Sequence, residues 1–169
     1  MIIFYPSLYL AVPLFMFVMV AQASILPYFP LLGFVPQAGL LVALSWGLLR
    51  GVEEGAWWGF LAGLAIDLFS YGPFGVSAAI LVLVVVIATY LQEVVVTERY
   101  VLPSLLAMGA TLFYYTMYAL MGRILGYETV FVVGDDLLTV LFLHGFLIMP
   151  VYWTLYGIER ALWPQSVEL

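Results

Sequence analysis

Six apolar runs, each close to the length of a membrane-crossing helix, follow one another along this chain of 169 residues and constrain its architecture more than any motif does. A hydrocarbon core of about 30 Å needs roughly 20 helical residues. Runs bounded by charge, Gly or Pro fall at about 7–26, 31–49, 55–70, 74–92, 100–125 and 136–158. The third is short, which predicts either little tilt or local thinning of the bilayer. A soluble fold is closed off because 66% of the residues are hydrophobic, 8% are charged and the mean hydropathy is +1.18; a water-facing surface needs many more charges. "LLVALS", "LVLVVVIA" and "VVVTERYVL" have strand-like composition, but unpaired strands cannot cross lipid and the alternation of a barrel is missing. The expectation is an all-α polytopic membrane protein with six transmembrane helices, residues 1–169 forming a single transmembrane domain. The longest connection, "GYETVFVVGDD" at 126–136, is mildly acidic and has no room for a soluble domain. Function must therefore reside within the bundle, at its lipid-facing walls or in its short turns.

The few charges narrow the partners. There is no lysine, the basic side chains are Arg50, Arg99, Arg123 and Arg160, and the net charge is −6. Such a chain cannot neutralise a nucleic-acid backbone or form a polybasic lipid patch. Without cysteine there is no disulfide, thiolate or iron–sulfur ligand, and a single histidine argues against zinc; no metal or cofactor is expected. Ala21-Gln22-Ala23 resembles a signal-peptide cleavage site. No basic residue precedes it, however, and the run is too long for a signal-peptide core, so a retained helix is expected. Six crossings place both termini on one side. Assigning that side to the cytoplasm puts Arg50, Arg99 and Arg160 inside and only Arg123 outside, as the positive-inside rule favours. Trp46, Trp57, Trp58, Trp153 and Trp163 fall in the same half, where an aromatic belt at the headgroups is expected.

Chemistry-bearing residues are sparse. In the third run Gly55, Gly59, Gly63 and Asp67 recur every fourth residue and form a slowly drifting ridge. Small residues on a ridge let another backbone approach closely; packing inside the bundle is the preferred reading over a contact with another subunit. Asp67 lies about a turn before the helix end, where a carboxylate costs less than at mid-membrane. The "GPFG" turn, Gly72-Pro73-Phe74-Gly75, follows. Gly72 suits a positive φ, Pro73 the first turn of the next helix, and Gly75 a close approach. The first amides of that helix lack internal partners, so Asp67 is expected to clamp the hairpin; ligand binding or proton carriage is the alternative. His144, at a similar depth, Arg123 and Gln22 complete a candidate buried polar cluster or pocket with Asp67. For His144 a hydrogen bond across the bundle is the simpler reading, and for Arg123 snorkelling outward ranks ahead of pairing with Glu128, Asp135 or Asp67. Tyr114, Tyr115 and Tyr118 are read as packing before pocket. Catalysis finds little support: "GVSA" at 75–78 lacks the following glycine of a serine elbow, Asp67 is the only midspan aspartate, and H-E-x-x-H is absent.

The segment from Pro36 to about Tyr90, "VPQAGLLVALSWGLLRGVEEGAWWGFLAGLAIDLFSYGPFGVSAAI" above all, resembles the MreD family of bacterial rod-shape-determining membrane proteins. The resemblance rests on Pro36-Gln37 before the second run, the glycine ridge, Asp67 and the Gly72–Gly75 turn. Gln37 stands where the family often has an acidic or amide residue. The resemblance implies a multi-pass protein of the bacterial cytoplasmic membrane and a non-catalytic scaffold of the peptidoglycan-elongation (rod) complex. It would receive the transmembrane helix of an MreC-like single-span partner, with the RodA glycosyltransferase and its penicillin-binding partner in the larger complex. MreD-like proteins are also similar to the six-span substrate-binding components of energy-coupling-factor transporters, which implies the competing function of a small-ligand-binding transport subunit. Polar groups satisfying one another around an apolar pocket favour the scaffold; unpaired polar groups facing an enclosed space favour transport.

Overall fold

The computed structural model describes residues 6–70, 72–94, 101–126 and 135–162. Among them the chain forms six α-helices: α1 (Ser7–Ser24), α2 (Ala38–Arg50), α3 (Val52–Phe69), α4 (Val76–Val94), α5 (Leu102–Leu125) and α6 (Asp135–Leu162), with a 3-10 turn at Leu26–Tyr28. The second expected run begins as a helix seven residues late. Gly33 and Pro36 interrupt it, because glycine favours a turn and proline supplies no amide to a helical ladder. Leu31 and Phe34 instead exchange both backbone hydrogen bonds (2.9 and 3.0 Å) across Leu32 and Gly33, which adopt φ of 53° and 87°.

Among the described residues, four helical segments are long and apolar enough to cross a membrane: Ser7–Tyr28, Val76–Val94, Leu102–Leu125 and Asp136–Leu162. With 13 residues, α2 reaches only about 20 Å at 1.5 Å per residue. α3 is long enough at 18 residues but carries Glu53, Glu54 and Asp67. The six expected spans thus correspond to six helices of which two are less than plain lipid-crossing rods.

The shortest helix is the most enclosed. Its sequence is apolar all round, as in a helix with no solvent or lipid face, and every residue from Gly39 to Leu48 is buried. It touches each of the other five helices. α3 packs on α1, α2 and α4, while α5 joins α4 to α6. Glycine makes the closest crossings possible. A Cβ on Gly55 would lie 2.7 Å from the Gly47 Cα, one on Gly59 would lie 3.0 Å from the Leu81 carbonyl oxygen, and one on Gly63 would overlap the Ala78 backbone. The ridge therefore faces α2 and α4 of the same chain, the small-residue packing of membrane helices.

The tryptophans depart from the expected belt. Trp46 and Trp58 are fully buried and stack with centroids 4.1 Å apart, and Phe15 meets Trp58 edge-on at 5.4 Å. Enclosure of α2 on all sides gives Trp46 no route to a headgroup. Only Trp57 and Trp153 are half exposed, and Trp163 lies outside the described residues.

Candidate functional site

One end of the bundle, here called proximal, brings together the start of α1, the corner between α2 and α3, and the last turns of α6. The Ser7 hydroxyl and the Trp46 indole N–H donate to Glu54 Oε2 at 2.6 and 3.1 Å. Arg50 donates from Nε and Nη2 to Glu54 Oε1 at 3.2 and 3.0 Å, and from Nη1 to Glu159 at 3.1 Å. Glu54 is only 5% exposed. Its ionised form is tolerable there because both oxygens are hydrogen-bonded and a guanidinium faces it. One buried carboxylate and one arginine thus tie four helices. Sequence reasoning used Arg50 only as a topological charge and passed over Glu54; the signal was the acidic residue four positions after an arginine across the Gly51 corner.

A second polar layer lies at the distal end. Thirteen residues separate Gln37 from Arg50 and Asp67 from Glu54, and fifteen separate His144 from Glu159, so all three lie about 20 Å from the proximal layer. They nevertheless form two separate networks. In the first, the Gln37 N–H donates to His144 Nε2 at 3.0 Å and the Ala38 N–H to Gln22 Oε1 at 2.9 Å. The half-buried start of α2 has the Gln37 and Ala38 amides taken by side chains from α6 and α1. An accepting Nε2 leaves the histidine proton on Nδ1, which faces Thr111 Oγ1 at 2.8 Å. The Thr111 hydroxyl in turn donates to the Ala107 carbonyl at 2.7 Å. Gln22 Nε2 reaches Gln37 Oε1 at 3.4 Å.

In the second network Asp67, 4% exposed, accepts from the Gly75, Ser77 and Ala78 amides at 2.8, 3.1 and 3.4 Å. These donors open α4, where unpaired N–H groups and the helix dipole favour an anion. Tyr114 donates to Ser77 Oγ at 3.2 Å and stacks on Tyr118 at 5.9 Å. The turn distributes its roles differently from the sequence reading. Positive φ (93°) falls at Gly75, Pro73 precedes the helix, and Gly72 is the close-approach position, because a Cβ there would collide with the Tyr118 hydroxyl. Phe74 is exposed.

The four residues expected to cluster are therefore divided. Gln22 and His144 meet at α2; Asp67 serves α4, and no hydrogen bond joins it to His144 among the described residues. Arg123 is exposed in the last turn of α5 and makes none of these bonds. Glu128 lies outside the described residues, as does the side chain of Asp135. Among the described residues, four buried polar atoms lack a hydrogen-bond partner, Ser45 Oγ, Trp58 Nε1, Thr89 Oγ1 and Gln92 Oε1; Gln92 still donates to the Leu48 carbonyl. No cluster of three or more metal-ligating side chains occurs among the described residues.

Between α4 and α5, toward the proximal end, a half-open groove of about 300 Å³ is lined almost wholly by apolar atoms of Val84, Ala88, Leu91, Gly109, Ala110 and Phe113, among others. A Cβ on Gly109 would have no neighbour within 4 Å. Thr89 and Gln92 do not line it.

The long apolar helices and the enclosed short helix, with polar side chains used for capping and ion pairing, define an integral membrane helical bundle. A family model described as rod shape-determining protein MreD matches residues 3–159 of the 169, and the chain belongs to the MreD family. Its role is accordingly in rod-shape determination. No curated protein and no solved structure is recognisably similar to it.

Proposed function

We propose that this protein is a non-catalytic scaffold of the bacterial rod complex that holds the single transmembrane helix of an MreC-like partner. On this reading it crosses the cytoplasmic membrane six times with both termini inside, and reaches RodA and its penicillin-binding partner through the larger assembly. The observation that carries the proposal is the α4–α5 groove. It is apolar, half-open and lined in part by the small residues Ala88, Gly109 and Ala110. Small residues in a membrane-facing groove let a second helix come close enough for the van der Waals packing on which association in lipid depends. Asp67, His144 and Gln22, the polar groups a transported ligand would need, instead cap backbone amides, which supports the scaffold over an energy-coupling-factor-type subunit.

The test combines partner capture with a groove-filling change. The protein purified from native membranes should bring down a single-span partner, and Gly109→Leu should lower the recovery at least fivefold while leaving the thermal unfolding of the free protein unchanged. Recovery of an ATPase module in place of a single-span protein would overturn the scaffold. Unchanged recovery with Gly109→Leu would move the docking face elsewhere.

A further inference from the structure

We infer that residues 25–34, which join α1 to α2, form a hairpin embedded in the distal leaflet of the bilayer, so that this connection is a lipid-binding surface rather than an aqueous loop. The inference deepens the six-crossing reading and rests on it.

Depth is the first argument. α2 rises only about 20 Å from its proximal end at Arg50, roughly 10 Å short of a hydrocarbon core of about 30 Å. Its first amides are accordingly capped by His144 and Gln22 inside the bundle. The chain must cover the missing distance outside a helix, and residues 25–37 are what cover it.

Composition and exposure agree. No charged residue occurs before Arg50, so this connection has none of the charges that mark a water-facing loop. Ile25, Tyr28, Phe29 and Leu32 are 54, 80, 72 and 73% exposed. Tyrosine near the membrane–water boundary and aliphatic side chains directed outward suit the headgroup and upper acyl region.

The backbone is prepared for a medium poor in hydrogen-bond partners. Pro27, Pro30 and Pro36 have no N–H to satisfy. The amides of Tyr28, Phe29, Leu31 and Phe34 are bonded within the segment, to Ile25, Leu26, Phe34 and Leu31 respectively. Lipid-exposed irregular backbone does not occur within the hydrocarbon region itself, which places this hairpin at the headgroup and upper acyl boundary and no deeper.

Turn chemistry supplies an independent observation. Leu32 and Gly33 both have positive φ, the combination of a two-residue hairpin turn for which Asn-Gly or Gly-Gly is strongly preferred. A leucine there is sterically disfavoured. Its exposed side chain makes no contribution to the protein core that would compensate, and insertion into lipid supplies the missing gain.

The absence of native cysteine makes the test direct. Single variants Leu32→Cys, Thr129→Cys and Val167→Cys are reconstituted into vesicles of phosphatidylethanolamine and phosphatidylglycerol. Each is treated with a charged, membrane-impermeant maleimide, then labelled with a bimane and quenched by iodide or by lipids spin-labelled at shallow depth. Leu32→Cys should react at least tenfold more slowly than Thr129→Cys, in the α5–α6 connection, and should be quenched by the shallow spin label rather than by iodide. In detergent its reactivity should rise. Reaction as fast as Thr129→Cys with iodide quenching would overturn the hairpin, as would protection that persists in detergent, which would signify cover by protein. Phe29→Cys serves in the same assay should Leu32→Cys fail to fold. Labelling of Thr129→Cys and Val167→Cys from the same face would refute the six-crossing reading itself, a result distinguishable from failure of the hairpin alone.

Discussion

Replacing Asp67 by leucine isolates the contribution of one carboxylate to the α3–α4 hairpin. Its bonds to the Gly75 and Ser77 amides are of good length at 2.8 and 3.1 Å, and that to Ala78 is marginal at 3.4 Å. Hydrogen bonds to a charged group contribute about 1.5–3 kcal/mol each, whereas bonds between membrane helices average about 0.6 kcal/mol. Three weak bonds set a floor of about 2 kcal/mol, and two strong ones a ceiling of about 6 kcal/mol. Leucine removes the cost of holding an anion at this depth, a gain below the 2.5–3.5 kcal/mol of mid-membrane, roughly 1 kcal/mol here. The net loss should be about 1–5 kcal/mol. Asp67→Asn keeps one acceptor oxygen but turns an NH2 group toward an amide donor, and should lose about half as much. Equilibrium unfolding in mixed detergent micelles, followed by the fluorescence of the buried Trp46–Trp58 stack, measures both. A leucine variant as stable as the parent that failed to bind its partner would refute the clamp and make Asp67 an interface residue.

Glu54→Ala leaves Arg50, Ser7 and the Trp46 N–H without their shared acceptor and should cost about 3–5 kcal/mol, the penalty of breaking a buried pair. Glu159→Gln, at the more open edge of the same cluster, should cost under about 1 kcal/mol in the same unfolding assay. His144→Leu orphans the Gln37 amide and should destabilise by about 1–3 kcal/mol. With Gln22→Leu the double mutant should be non-additive, because both residues hold the start of α2; strict additivity would dissociate them. Gly63→Val should abolish folding or shift the apparent Tm sharply downward, since its Cβ meets Ala78 backbone rather than a movable side chain. Gly109→Leu, by contrast, should leave Tm unchanged.

Some of the site was legible because its signal is local. The glycine ridge follows from four-residue spacing, and the hydrogen bonds of Asp67 span eight to eleven residues through one turn. Glu54, the pairing of Gln22 and His144 with the start of α2, and the contact of Thr111 with His144 were not legible as a group. Their partners lie up to 107 residues away, and an isolated threonine or glutamine on an apolar helix has no signature of its partner. The roles of Gly72 and Gly75 exchanged for a related reason: both tolerate any φ, and only the position of Tyr118 decides which one needs the room.

By itself the sequence determined that this is a helical membrane protein without nucleic-acid or cysteine chemistry, since hydropathy, charge count and residue spacing act without regard to neighbours. Tertiary structure alone decided that the shortest helix is the innermost, that two tryptophans belong to the core and that the polar residues divide into separate capping networks. Burial and hydrogen-bond pairing are properties of which elements meet, and elements a hundred residues apart are brought together only by packing.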